Sequence, residues 1–86
     1  MILLPYYDEG AARTKMREVG FMIAYYRRQK GLSQAKLAEA AGISRQHLAA
    51  VEAANMQRPF SVEFLIKIAD VLEVSPAQFF EFHQKS

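Results

Sequence analysis

The sequence predicts an all-α fold of five helices, and three observations carry that expectation. Apolar residues recur every three or four positions through most of the chain, as on the buried face of a helix. Serines at positions 33, 44, 61 and 75 stand just ahead of these segments, where a hydroxyl can cap the free N–H groups of a helix start. No stretch alternates apolar and polar residues as a half-buried strand does, and only residues 2–7 suit an extended run. With 86 residues and no cysteine, the chain supports one core held by packing alone. It divides into an N-terminal extension, residues 1–12, and a single domain, residues 13–86.

The first helix is expected from Arg13 to Lys30, where Met16, Val19, Ile23 and Tyr26 form one face. Gly31 follows as its stop, and Ser33 caps a short second helix with Leu37 and Ala41 turned inward and Gly42 at its end. Ile43 packs inward at the corner, and Ser44 caps a third helix whose Leu48 and Val51 face the core. The outward face of that helix, Arg45, Gln46, Ala49, Ala50 and Ala53, is small and polar. Pro59 disfavours helical geometry in its neighbour and offers no N–H, so residues 55–60 are expected to form a surface loop. Ser61 caps a fourth helix with Leu65, Ile68, Ala69 and Leu72 inward. Ser75, Pro76 and Gln78 combine a capping box with proline at the first helical position, opening a fifth helix that carries Phe79, Phe80 and Phe82.

Helices two and three, joined by the corner Ala41-Gly42-Ile43-Ser44, fit a helix-turn-helix. Ala38 is small where the two helices approach, Gly42 can take positive φ, and Leu37, Ile43, Leu48 and Val51 form a wedge that sets the crossing angle. Any αα-corner shares the apolar spacing, but not the alanine, glycine and isoleucine at these offsets.

The stretch Gly31-Leu32-Ser33-Gln34-Ala35-Lys36-Leu37-Ala38-Glu39-Ala40-Ala41-Gly42-Ile43-Ser44, continuing to Val51-Glu52, resembles the phage-repressor, Cro-like (XRE) family of helix-turn-helix regulators. The resemblance runs roughly from Val19 to Phe80 and includes Pro59, the Leu65, Ile68, Ala69 and Leu72 pattern, and Val74-Ser75-Pro76 leading to Phe79-Phe80. It implies a repressor-like five-helix bundle. Relatives usually carry a glycine after the residue corresponding to Glu52; this chain has Ala53-Ala54-Asn55, so a longer third helix is expected.

The resemblance also implies roles. Arg45 and Gln46 sit where the family reads bases, and arginine can bond guanine bidentately as glutamine can adenine. Ala49 and Ala50, on the same face, offer methyl contact, for instance to a thymine methyl. Gln34 would bond a phosphate and brace the first side chain of the third helix. Lys36, Ser44, Arg58 and Asn55 would bond phosphates, adding affinity and register without sequence information. Arg27 and Glu52 match a structural ion pair of the family.

Charge is uneven. Residues 13–58 carry nine bases against three acids, residues 1–12 and 61–86 each sum to −2, and the whole chain is +2. A basic centre suits a polyanion, although a charge run often marks only a solvated face. His47 and His83 lie apart without carboxylates at metal spacing, so no metal or cofactor is expected, and no nucleophile–base set supports an enzyme. No membrane span and no signal peptide are read, and a reducing cytoplasm suits the missing cysteines. Phe21, Met22 and Tyr25 fall away from the first helix's core face, so a cover is expected, either the apolar prefix or a second chain. Of the dimer surfaces, the C-terminal aromatic end with Phe80 and Phe82 is favoured. The reading is therefore a sequence-specific regulator of double-stranded DNA acting as a homodimer, probed against one alternative: an antitoxin-like or other interaction module that keeps the fold and holds a protein partner.

Overall fold

The computed structural model of the chain describes residues 9–55 and 58–82. The extended run expected over residues 2–7, and His83, lie outside the described residues. The elements are α1 (Glu9–Gln29), α2 (Gln34–Ala41), α3 (Arg45–Glu52), α4 (Val62–Leu72) and a closing 3-10 helix (Pro76–Phe80). The fold is all-helical as expected, with one correction: the fifth element is a single tight 3-10 stretch instead of an α-helix, and Phe82 lies beyond it. Its capping box forms, Ser75 N donating to Gln78 Oε1 at 3.0 Å. Its bonds span three residues, as from Gln78 N to Ser75 O at 2.9 Å, a pattern suited to short pieces.

α1 starts four residues before the expected Arg13, so residues 9–12 of the extension belong to the helix. Ala11 and Ala12, strong helix formers, carry it back without help from apolar periodicity. α3 is shorter than expected. It ends at Glu52, and Ala53 is already extended at φ −75°, ψ 130°. Alanine propensity favours continuation, but the fixed surroundings of Glu52 override it.

Three chain reversals close helices in the same way, the first after α1, where Gly31 at φ +76° donates to Arg28 O and Leu32 donates to Arg27 O at 3.0 Å. After α2, Gly42 at φ +69° donates to Glu39 O while Ile43 donates to Ala38 O at 3.0 Å, the paired bonds that cap orphan carbonyls. After α4 the same pair is made by Glu73 and Val74, although Glu73 stands at φ +60°, a conformation that favours glycine. The serine caps act as expected, with Ser33, Ser44 and Ser61 Oγ accepting from the N–H of Lys36, His47 and Phe64.

The core is contributed by all five elements. Val19 and Ile23 of α1, Leu37 of α2, Leu48 of α3, Ile68 of α4 and Phe79 of the 3-10 helix are fully buried. Phe64 joins them on α4. Met22 is also in the core at 6% exposure, which corrects its assignment to an outer face; only Phe21 and Tyr25 of that trio are exposed. Part of the cover over Phe21 comes from the chain itself, since the Phe82 ring meets it edge-on at 5.2 Å.

Candidate nucleic-acid interface

α3 is only eight residues long, about 12 Å. An isolated helix of that length is unstable in water, so its presentation depends on what clamps it. Three clamps are visible. At its start, Ser44 Oγ accepts from His47 N at 3.1 Å. In its first turn, His47 Nε2 lies 2.8 Å from Pro59 O. A carbonyl only accepts, so Nε2 carries the proton and ties α3 to the following loop. The same ring packs on Phe64 with centroids 4.5 Å apart, and Phe64 in turn stacks with Phe60.

The third clamp holds the end of α3. Arg27 of α1 grips the Glu52 carboxylate with two parallel bonds, Nε to Oε2 at 2.8 Å and Nη2 to Oε1 at 2.9 Å, and its Nη1 donates to Leu32 O. The side chains are 9% and 4% exposed. Gln34 Nε2 adds a third donor to Glu52 Oε1 at 2.9 Å. Three helices thus meet at one carboxylate. This corrects the expectation for Gln34: its amide braces the last side chain of α3, not the first, because the start of α2 lies over the far end of that helix.

Beside this network α1 touches the α3 backbone directly. A Cβ on Gly20 would stand 2.1 Å from Val51 O, so only hydrogen fits there. Periodicity did not reveal this residue. A lone glycine inside an otherwise helical apolar pattern was the available signal, since such a glycine usually serves close packing.

The remaining side chains divide by exposure. Arg45 and Gln46 project from the first turn of α3, exposed and without a partner among the described residues. Ala49 is half-buried. Ala50 is 8% exposed, which corrects its placement on the outward face: α3 is wedged against α1 and α2, and a methyl at this position does not rise past its neighbours. Lys36, Ser44, Asn55 and Arg58 are all exposed, around the starts of α2 and α3 and in the loop after α3. The Ser44 hydroxyl uses its oxygen as the cap and retains its hydrogen for another acceptor. The arrangement presents cationic and amide donors on one clamped helix and its surroundings, chemistry suited to phosphate oxygens and base edges. Among the described residues no helix is long and apolar enough to cross a membrane.

A family model described as helix-turn-helix matches residues 23–79. The HTH-type transcriptional regulator SinR of Bacillus subtilis (strain 168) is 42% identical over 57 residues, a stretch that covers 66% of this chain and 50% of the relative. The chain thus matches about half the length of that relative. Among solved structures, SinR in complex with DNA, described as the master regulator for biofilm formation, superposes with a TM-score of 0.66 at 39% identity, covering 71% of this chain and 95% of that one. The restriction-modification controller protein C.AhdI from Aeromonas hydrophila gives a TM-score of 0.72 at 31% identity, covering 78% and 98%.

Proposed function

The chain belongs to the helix-turn-helix family of the phage-repressor, Cro-like type, and from that premise we propose that it is a sequence-specific, double-stranded-DNA-binding transcriptional regulator, a homodimeric repressor working in the cytoplasm. The observation that carries this reading is the display of Arg45 and Gln46, exposed and without a partner among the described residues, on a helix clamped at both ends. Arg45 reads guanine and Gln46 adenine, with methyl contact from Ala49. Lys36, Ser44, Asn55 and Arg58 bond phosphates and set register. Gln34 acts indirectly, by holding Glu52. The likeness to SinR, whose structure was solved with DNA, supports the partner, and the likeness to transcriptional regulators supports a non-catalytic role.

The test is duplex binding as a function of salt. A handful of phosphate contacts implies a log–log slope of about −3 to −6 per monomer, at about −0.9 for each phosphate neutralised. Lys36→Ala and Arg58→Ala should weaken every sequence alike, whereas Arg45→Ala and Gln46→Ala should cost about 1–3 kcal/mol at particular base pairs. Failure to bind any duplex at low salt would overturn the reading and leave the fold as a module for a protein partner.

A further inference from the structure

Away from the proposed base-reading turn, α1 carries a second feature that DNA reading does not use. Arg17, Phe21, Ala24 and Arg28 fall on one face of the helix at spacings of four, three and four, and all four line a cleft of about 350 Å³. Phe82 forms one wall, its ring edge-on to Phe21, and the end of α3 at Glu52 closes the cleft. The volume lies in the range of small-molecule sites.

The charge inside it is one-sided. Glu52 is committed to Arg27 and Gln34, and Glu18 is paired with Lys15 at 2.9 Å. Arg17 and Arg28 are exposed and have no partner among the described residues. The cleft therefore has an apolar floor, with Phe21 still 52% exposed, flanked along α1 by Arg17 and Arg28, whose backbone positions lie about 16 Å apart by helical rise. Guanidinium groups bind planar oxyanions through paired N–H donors, and an aromatic floor takes up a flat or aliphatic body. We propose that this cleft is a binding site for a small amphipathic anion, an organic acid with an apolar body. A volume of about 350 Å³ fits a small molecule better than a protein face.

The site can be probed without DNA, so its failure and the failure of the regulatory reading are distinguishable. The probe is 1-anilinonaphthalene-8-sulfonate, compared with N-phenyl-1-naphthylamine, which has the same rings and no charge. The anionic probe should bind one per chain with a rise in fluorescence and be displaced by decanoate. Arg17→Gln with Arg28→Gln should weaken it on the order of tenfold, the scale of a charge-assisted bond, and leave the neutral probe unchanged. Both positions are exposed, so helical circular dichroism should not change; Phe21→Ser should weaken both probes. Equal affinity for the two probes in the unaltered chain, or no fluorescence rise, would overturn the proposal. So would a signal that fades as protein concentration rises, which would identify a second copy as the occupant. A signal that grows on deleting residues 1–8 would also overturn it, by identifying the chain's own prefix.

Discussion

Glu52 is the residue on which most else depends. Its carboxylate is nearly buried and accepts from both Arg27 and Gln34. Removing one partner of a buried pair strands the other, so Arg27→Ala or Glu52→Ala should each lower stability by about 3–5 kcal/mol in urea unfolding. Replacing both at once, Arg27→Met with Glu52→Leu, should recover most of that loss, because no charge is then left without a partner. The pairing of Arg27 with Glu52 was suggested by resemblance to a family and not by spacing, since twenty-five positions separate them. Gln34 as a third partner was not legible, because a sequence does not record which way an amide points. Glu73 offers a separate test. Lys30, through a hydrogen bond at 2.6 Å and its charge, holds the Glu73 carboxyl below its ordinary value of 4.5. A carboxyl lowered on folding adds stability above its unfolded value and loses it as pH falls through the folded one. The contribution should thus be present at neutral pH and vanish on acidification below 4.5, and Glu73→Gln should flatten that part of the pH–stability curve. Glu73→Gly should raise the melting temperature at low pH, where relief of the positive φ is no longer offset by loss of the ion pair.

Among the elements, caps and stops were the most legible. Ser33, Ser44, Ser61 and Ser75 each precede a helix in the sequence, and each oxygen accepts from the first turn of that helix. Helix ends set by tertiary contact were not. Nothing local tells Ala53 to leave the helix, and nothing in apolar spacing marks Met22 or Ala50 as buried, since one face of α1 or α3 does not reveal how many neighbours it meets. The crossing of α1 and α3 gives a direct test. In Gly20→Ala the added methyl meets the backbone at Val51, which cannot swing aside as a side chain can. Overpacking of this kind costs about 1–3 kcal/mol, and relief requires moving α3. Gly20→Ala should therefore lower duplex affinity more than its effect on the folded fraction explains, read by titrating DNA well below the melting temperature.

At the scale of the whole molecule, the uneven charge was legible by counting, and its use was not. Basic side chains of the middle segment are engaged within the fold, among them Lys15 with Glu18, Arg27 with Glu52 and Lys30 with Glu73. Charges held in such pairs are partly spent before a polyanion arrives, so a net charge overstates the footprint. A homodimer would place two copies of α3 about 34 Å apart, one turn of duplex, and sites selected from random DNA should be near-palindromes with that spacing. The joining of three helices at Glu52 has a further consequence, in the language of partial unfolding. A short surface helix would ordinarily open by itself, well before the body of the protein. Here opening α3 from its end strands Arg27 and Gln34 without their acceptor, and opening it from its start releases His47 from Pro59. The amide protons of α3 should exchange with solvent as slowly as those at the centre of α1, making the proposed DNA-reading helix one cooperative unit with the core that carries it.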